Sequence, residues 1–568
     1  MASWWGKNQL RGREIDPEDI FLDSSNMARL NAQQLEGRIE RPVSTFAIVF
    51  VGVLFAFVAL VYAGQAFNLQ ILKGKAYADI SRNNRLDRSV LFATRGIITD
   101  RSGTELAWNE PQEDVASSTT PFALRSYTGA AGFSHLLGFI RYPKADASGE
   151  WWREEYTGVA GAEHFFNDIL AGQNGSLMSE TDARGKLVRE DIVDPPKNGD
   201  TLKLSIDASL QTKLEETLAN HAKSQGFQGG AGVIMDVHTG ELLSLVSFPE
   251  YDNAAFGNGD SDAIAAANAN PAKPLLDRAV AGVYAPGSIV KPIFAAAGLQ
   301  EGIITPETQI FSSGQLELPN PYDPNNPSIF KDWKAHGLMD LRHAIAVSSD
   351  VYFYEVGGGF GAQKGLGIAK IDEYARKFGL GSATGFRVEN EADGTIPTPE
   401  WKAKVFNGDP WRIGDTYHTA IGQYGFQVTP LQVVRYVAAI ANGGRLMTPQ
   451  IVADGPSASK SVGISDANLQ VVREGMRMAV HSQYTDRTER ALDMDGIDIA
   501  GKTGTAQIGV HNENMNSWAI GFWPYENPKY AFAVVLEKGP AGTLSGAAPA
   551  MTNFFYWLRD TKPEYVSH

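Results

Sequence analysis

From Val43 to Tyr62 the chain reads VSTFAIVFVGVLFAFVALVY, a run with no charge and no polar face. About 20 apolar residues in a helix cover a hydrocarbon core of roughly 30 Å, so the pattern predicts a membrane span. A cleaved signal peptide has a short basic leader and a shorter apolar stretch. Here 42 residues precede the run, which predicts an uncleaved anchor at 43–63 behind a short charged cytoplasmic tail, 1–42. Beyond the span the pattern changes to short alternating runs. DRSVLFATRGIITDRSG alternates as a strand does and breaks at Ser102-Gly103, and WREEYTGVAGAEHFFNDILAG predicts a turn leading into a helix that stops at Gly172. Residues 64–206 carry no evident catalytic set and read as a spacer or interaction domain.

From about residue 207 onward the pattern is richer. AGVIMDVHTGELLSLVSF is two apolar runs around His238-Thr239-Gly240, a hairpin signal. SWAIGFWPYENPKYAFAVVLE is a second hairpin, turning between Pro524 and Pro528. Mostly helical sequence lies between them, which predicts one sheet built from both ends of the domain. One helix is well punctuated: Thr429-Pro430-Leu431-Gln432 supplies a cap, a first-position proline and a capping-box glutamine, and Gly443 a stop.

Composition narrows the function classes. In 568 residues the net charge is −15, which argues against nucleic-acid binding through a basic surface. There is no cysteine, so disulfides, thiolate metal sites and cysteine nucleophiles are excluded. The ten histidines form no HExxH-like cluster for a catalytic zinc. The positive-inside rule barely orients the span, because Arg29, Arg38 and Arg41 precede it while Lys73, Lys75 and Arg82 follow.

Three short motifs carry candidate chemistry. In Tyr284-Ala285-Pro286-Gly287-Ser288-Ile289-Val290-Lys291-Pro292 the proline is tolerated only in a first helical turn, so Ser288 stands at a helix start with Lys291 one turn later on the same face. A serine hydroxyl needs a base to take its proton, and a lysine does this only when neutral, while a helix N-terminus adds donors for a developing oxyanion. Ser348-Ser349-Asp350 ends the helical stretch LMDLRHAIAVSSD, placing a hydroxyl and a short acid where they can pass a proton and hold an amide. Lys502-Thr503-Gly504-Thr505 offers a cation, two hydroxyls and a glycine that lets a ligand lie close to a strand. Each alone is a weak signal. A second S-x-x-K, Ser457 to Lys460, lies in a polar loop, and Ser24-Ser25-Asn26 lies in the tail. The three together, in order and 60 and 154 residues apart, match the motif set of penicillin-binding proteins and class A β-lactamases.

With these motifs the chain resembles a class B penicillin-binding protein from the span to the C-terminus. TRGIITDRSGTELAWN resembles the opening of the family's pedestal, GAGVIMDVHTGELLSLVS its first transpeptidase hairpin, and IGQYGFQVTPLQ a GQG-TPLQ segment from which Tyr424 departs. Asp350, where asparagine is commoner, resembles the elongation branch, penicillin-binding protein 2. Fewer than 170 residues separate the span from the first hairpin, with no sign of a glycosyltransferase domain.

The resemblance implies an α+β chain with a single transmembrane helix, an elongated β-rich, dimerisation-like pedestal at 64–206, and a transpeptidase domain at 207–568 with an antiparallel sheet flanked by helices. It implies a D,D-transpeptidase of cell elongation and shape. Ser288 attacks the D-Ala-D-Ala carbonyl of a stem peptide, Lys291 accepts its proton, and Ser348 shuttles it to the leaving D-Ala. Asp350, Lys502, Thr503, Gly504 and Thr505 bind substrate, with the carboxylate on Lys502 and the two threonines. The N–H groups of Ser288 and Thr505 form the oxyanion hole. No metal or organic cofactor is implied. β-Lactams are expected as covalent inhibitors. A RodA-like SEDS polymerase and other elongation proteins are expected as partners, the polymerase against a span face bearing Gly52, Ala56 and Ala59. The site is the bacterial inner membrane, with the catalytic domain on the periplasmic side. Competing readings are a division-type transpeptidase, a D,D-carboxypeptidase or β-lactamase using water as acceptor, a β-lactam sensor, and a non-catalytic scaffold.

Overall fold

The computed structural model describes residues 44–77, 85–110, 120–182, 186–320, 323, 325–386, 390–509 and 511–566. The expected tail, with its Ser24-Ser25-Asn26 decoy, lies outside the described residues. The chain divides into two compact units, Met1–Leu86 with Glu180–Arg189, and Asp87–Ser179 with Glu190–His568.

In the first unit the apolar run forms the helix Thr45–Phe67, capped by the Ser44 hydroxyl, which accepts from Ala47 N. The helix extends past residue 63, where the expected span ends, and continues as a π-helical turn, Asn68–Leu72. It is long and apolar enough to cross a membrane, and none of it is buried in protein. That combination suits a single-pass anchor, since apolar side chains this exposed are stable only in lipid.

The second unit is organised on one five-stranded antiparallel sheet. Its strands are β1 (Gly229–Asp236), β2 (Leu242–Phe248), β3 (Ala500–Ile508), β4 (Asn514–Trp523) and β5 (Tyr530–Pro540). The order is β2-β1-β5-β4-β3. Both expected hairpins form, and β1 pairs with β5 from Gly229↔Glu537 to Asp236↔Tyr530, so the sheet joins the two ends of the domain. The β1–β2 turn is held by the Asp236 carboxylate, which accepts from His238 N and Thr239 N. β1, β2 and β5 are buried along nearly their whole length because helices cover both faces. On one face Leu210, Leu214 and Leu218 of the helix Ala208–Gln225 and Phe554 and Phe555 of the helix Ala547–Thr561 share a core with Ile234, Val246 and Phe532. On the other lies Pro430–Ala441, wholly buried, with the predicted Thr429–Gln432 capping box.

The segment before Leu202 holds a four-stranded sheet containing Ile98–Thr99, Glu105–Asn109 and Arg125–Tyr127. Its centre is ionic. Glu163 accepts from Arg95 Nε at 2.6 Å and Arg125 Nε at 2.7 Å, with all three side chains enclosed. The RGIITDRSG run therefore has a structural role: Arg95 enters this triad, and Asp100 accepts from Ser102 N, Thr104 N and Ala208 N. The helix expected to end at Gly172 is broken into Gly161–Phe165 and Asn167–Leu170. The break at Phe166 lets Glu163 and Asn167 both reach Arg95, a tertiary demand that overrides the helical pattern.

Candidate functional site

Ser288 stands in a 3₁₀ turn, Gly287–Val290, that runs directly into the α-helix Lys291–Gln300, with Pro292 in its first turn. Three elements hold the turn. Trp518 Nε1, on β4, donates to Ala285 O at 3.0 Å; the Tyr436 hydroxyl donates to Ile289 O at 2.7 Å; and Gly287 N donates to Gly422 O at 2.9 Å. Gly287 has φ +56°, and a Cβ there would lie 2.7 Å from Thr505 O. At Gly504 a Cβ would lie 2.8 Å from Pro286 O. These two glycines let the edge strand β3 press backbone-to-backbone against the serine turn. The room that glycine leaves at 504 is taken by the protein's own chain.

Lys291 is fully buried. Its Nζ donates to Ser348 O at 2.7 Å, Ser348 Oγ at 3.3 Å and Asp350 Oδ1 at 2.6 Å, and lies 5.6 Å from the Phe353 ring centre. It thus reaches the second motif; no hydrogen bond joins it to Ser288. Ser348 ends the helix Leu341–Val347 in the left-handed region, φ +61°, a conformation uncommon for a residue with a Cβ, and the lysine bond to its carbonyl helps hold it there. Ser349 caps the next helix, Asp350–Gly358. Asp332 steadies this corner by accepting from Ser349 Oγ at 2.7 Å, Val351 N at 3.0 Å and Ser312 Oγ at 3.1 Å. Burial alone would raise the Asp332 carboxyl; hydrogen bonds from His336, Ser349 and the Asp350 and Val351 amides carry it well below the usual range instead.

The third motif divides by strand alternation. Lys502 and Gly504 face inward and are buried, while Thr503 is half-buried and Thr505 exposed. Lys502 Nζ donates to Thr503 O at 2.9 Å. Burial, and next the charge of Lys291, lower the Lys502 pKa to about 7, against the opposing pull of Glu489 and Asp350. Glu489 is enclosed beside Gly501, neither carboxyl oxygen has a hydrogen-bond partner, and burial raises its pKa to about 8. Both shifts favour the neutral forms.

The Ser288 turn, Lys291 with Ser348 and Asp350, and the strand from Lys502 to Thr505 thus come together in one place. Ser457 stays apart in a surface loop before the short strand Ser459–Ser461. Tyr424 is left-handed, φ +62°, and packs among Trp401, Phe406 and Trp411 beside Lys402, which bridges Asp409 and Asp415. Reading the sequence missed Asp332, Glu489, Tyr436 and Trp518, which have no motif of their own. Among the described residues no three His, Asp or Glu side chains converge as a metal site requires.

Residues 230–556 match the penicillin binding protein transpeptidase domain, and residues 118–204 the penicillin-binding protein dimerisation domain. The peptidoglycan D,D-transpeptidase MrdA of Haemophilus influenzae is 31% identical over 78% of this chain and 71% of its own. Among solved structures, the complex between penicillin-binding protein PBP2 and MreC from Helicobacter pylori matches with TM-score 0.68 and 29% identity, covering 84% of this chain and 99% of that one. A structure describing coordination of polymerization and crosslinking by a peptidoglycan synthase complex matches with TM-score 0.68 and 27% identity, over 90% and 98%.

Asp332 accepts three hydrogen bonds at one corner, each charge-assisted on the acceptor side. Asp332→Ala is expected to cost about 2–4 kcal/mol in urea unfolding, because it also strands the buried partners. It should also expose the Val351 amide to hydrogen exchange. Unchanged protection at Val351 would show that the corner holds without it.

Proposed function

The chain belongs to the penicillin-binding protein transpeptidases, and from that premise we propose how its residues divide the work. The protein is a penicillin-sensitive peptidoglycan D,D-transpeptidase of the penicillin-binding protein 2 kind, acting in cell elongation. We assign residues 64–206 to its pedestal and 207–568 to its catalytic domain. The observation that carries the mechanism is the enclosed Lys291 between the Ser288 turn and Ser348.

Ser288 Oγ attacks the carbonyl carbon of the penultimate D-Ala, and its proton moves to Lys291 Nζ once that lysine is neutral. Asp350 Oδ1, 2.6 Å away, is the neighbouring acceptor for the proton the resting lysine carries. The tetrahedral oxyanion meets the Ser288 and Thr505 N–H groups, on backbones that the two glycines bring together. A proton then passes through Ser348 Oγ to the leaving nitrogen, the C–N bond breaks, and D-Ala departs. The amine of a second stem peptide attacks the acyl-serine, gives up its proton by the reverse route, and releases Ser288. Thr503 and Thr505 present hydroxyls to the substrate carboxylate, and Lys502 acts from beneath them through its charge.

Intact-mass analysis after β-lactam exposure tests the nucleophile. Ser288→Ala should lose the adduct and Ser457→Ala should keep it. Lys291→Arg should fail almost as badly as Lys291→Ala, because arginine cannot become neutral. An adduct on Ser288→Ala, or normal acylation by Lys291→Arg, rejects the assignment.

Lys502 gives a pH signature. Its folded pKa is depressed, so the ammonium is present below about pH 7 and lost as the pH rises through it. Acylation by a carboxylate-bearing β-lactam should therefore fall above that pH relative to an ester-masked analogue. Lys502→Ala should flatten the difference and slow the carboxylate form by about tenfold or more. Identical pH profiles for the two compounds would detach Lys502 from carboxylate recognition.

We place the catalytic domain on the periplasmic side, where the cross-linked polymer lies, and read the helix Thr45–Phe67 as the anchor. A transpeptidase without a polymerase needs one beside it, and the likeness to a chain from a synthase complex supports a RodA-like SEDS partner; the likeness to a chain solved with MreC supports other elongation proteins. Gly52, Ala56 and Ala59 share a helix face suited to close helix contact. Replacing residues 43–62 with an unrelated span should reduce co-purification of the polymerase. Undiminished co-purification limits the span to anchoring.

A further inference from the structure

We propose that the cavity between the hairpin of Lys144–Ala145 with Trp151–Arg153 and the helices Asn253–Gly257 and Ser261–Ala269 docks an anionic glycan, the un-cross-linked peptidoglycan strand itself. The choice of occupant rests on the transpeptidase reading above; the site is separate from the Ser288 cleft in its residues.

The cavity encloses about 620 Å³. Its lining brings together Arg141, Lys144 and Arg153 with Trp152, Phe256 and Ile264, and among the described residues it contains no carboxylate. Lys144 and Arg153 are direct cross-strand partners, an arrangement in which like charges repel. Arg153 also feels Arg141: burial first, and then that neighbour's charge, lower its pKa. None of the three makes an ion pair among the described residues; Arg153 Nε donates only to the Tyr142 carbonyl, at 2.9 Å. Nearby acids are already engaged. Asp146 accepts from Ser148 and Glu150 N in its own turn, and Asp260 caps its helix through Asp262 N and Ala263 N. Three cations thus crowd one cavity without an anion, in a protein whose net charge is −15. Among the described lining residues only the Trp152 ring and the Tyr142 carbonyl offset this charge, both at Arg153, and an anionic ligand would offset the rest.

The aromatic side of the cavity narrows the class. Trp152 is 62% exposed, and the Arg153 guanidinium lies 4.9 Å over its ring. With Arg153 over one face of the exposed indole, its other face suits a pyranose with carboxylates on its substituents: the C–H face packs on the ring by dispersion, and the acids meet the arginines and lysine. The polymer this enzyme cross-links repeats that combination. Elsewhere an acidic surface would repel it, so a local cationic cavity is where such a strand is held.

The test uses the full chain in detergent and labelled, soluble, un-cross-linked peptidoglycan strands, followed by fluorescence anisotropy. Arg141 and Lys144 are both exposed, so Arg141→Glu with Lys144→Glu should leave the fold intact; β-lactam acylation, measured in parallel, should be unchanged. Strand affinity is expected to fall by about tenfold or more in this double variant, and to weaken in the wild type as salt is raised. Trp152→Ala should weaken strand binding at unaltered charge. Ser288→Ala should bind strands normally; a wild type that binds strands but is not acylated would sink the transpeptidase reading while leaving the anionic-glycan site itself in place. Unchanged strand binding in both the double variant and Trp152→Ala overturns the proposal. So does equal or tighter binding of polyglutamate, which would mark an acidic protein segment as the occupant, or of phosphatidylglycerol vesicles, which would mark a lipid surface.

Discussion

A buried ammonium group must find its acceptors inside the protein, and Lys291 finds them 57 and 59 residues further along the chain, on Ser348 and Asp350. Leaving such a charge unpaired would cost several kcal/mol, so the two motifs are joined by necessity. The rest of the site follows from that junction. Ser348 must turn left-handed to aim its carbonyl, Ser349 must cap the helix that carries Asp350, and Asp332 must steady the corner. The same lysine charge reaches Lys502 and helps to depress it. Two enclosed lysines in one cleft therefore have different tasks because their immediate partners differ: one faces a carboxylate, the other a backbone carbonyl.

The second constraint is steric. A serine turn and an edge strand meet across the gap in which an oxyanion would be held, and neither could approach with a side chain at Gly287 or Gly504. Close backbone contact gives a pair of N–H groups a fixed geometry before substrate arrives, which is the condition for transition-state stabilisation without reorganisation. The anchors Trp518 and Tyr436 serve that geometry from β4 and from the helix Pro430–Ala441. Core residues thus determine where Ser288, the proposed nucleophile, stands.

What was legible in the sequence follows a physical rule. Local patterns could be read: the hairpins, the Thr429 capping box, the serine-lysine helix start and the apolar span each depend on neighbours within a few residues. Partners brought together by folding could not. Asp332 and Glu489 have no neighbouring motif, and only the fold places one under Ser349 and the other beside Gly501. The pattern also misled where a distant partner overrode it. The helix toward Gly172 breaks because Arg95 draws Glu163 and Asn167 to one point. Within the third motif, the sequence distinguishes a cation from two hydroxyls, but only strand alternation shows that the lysine is buried while Thr505 is exposed.

That inequality has a consequence for recognition. A lysine at the surface would bind a carboxylate strongly but would hold its charge across the whole physiological range and attract any anion. Lys502, enclosed behind Thr503 and near another cation, is poised near neutrality, so its charge responds to what occupies the cleft. In the assignment proposed above, a substrate carboxylate at the threonines would add a negative charge that favours the protonated form of Lys502, against the desolvation it brings by excluding water. Where the added charge outweighs that desolvation, binding and protonation would be linked, each favouring the other. In that assignment the hydroxyl pair would supply the geometry and the buried amine the charge.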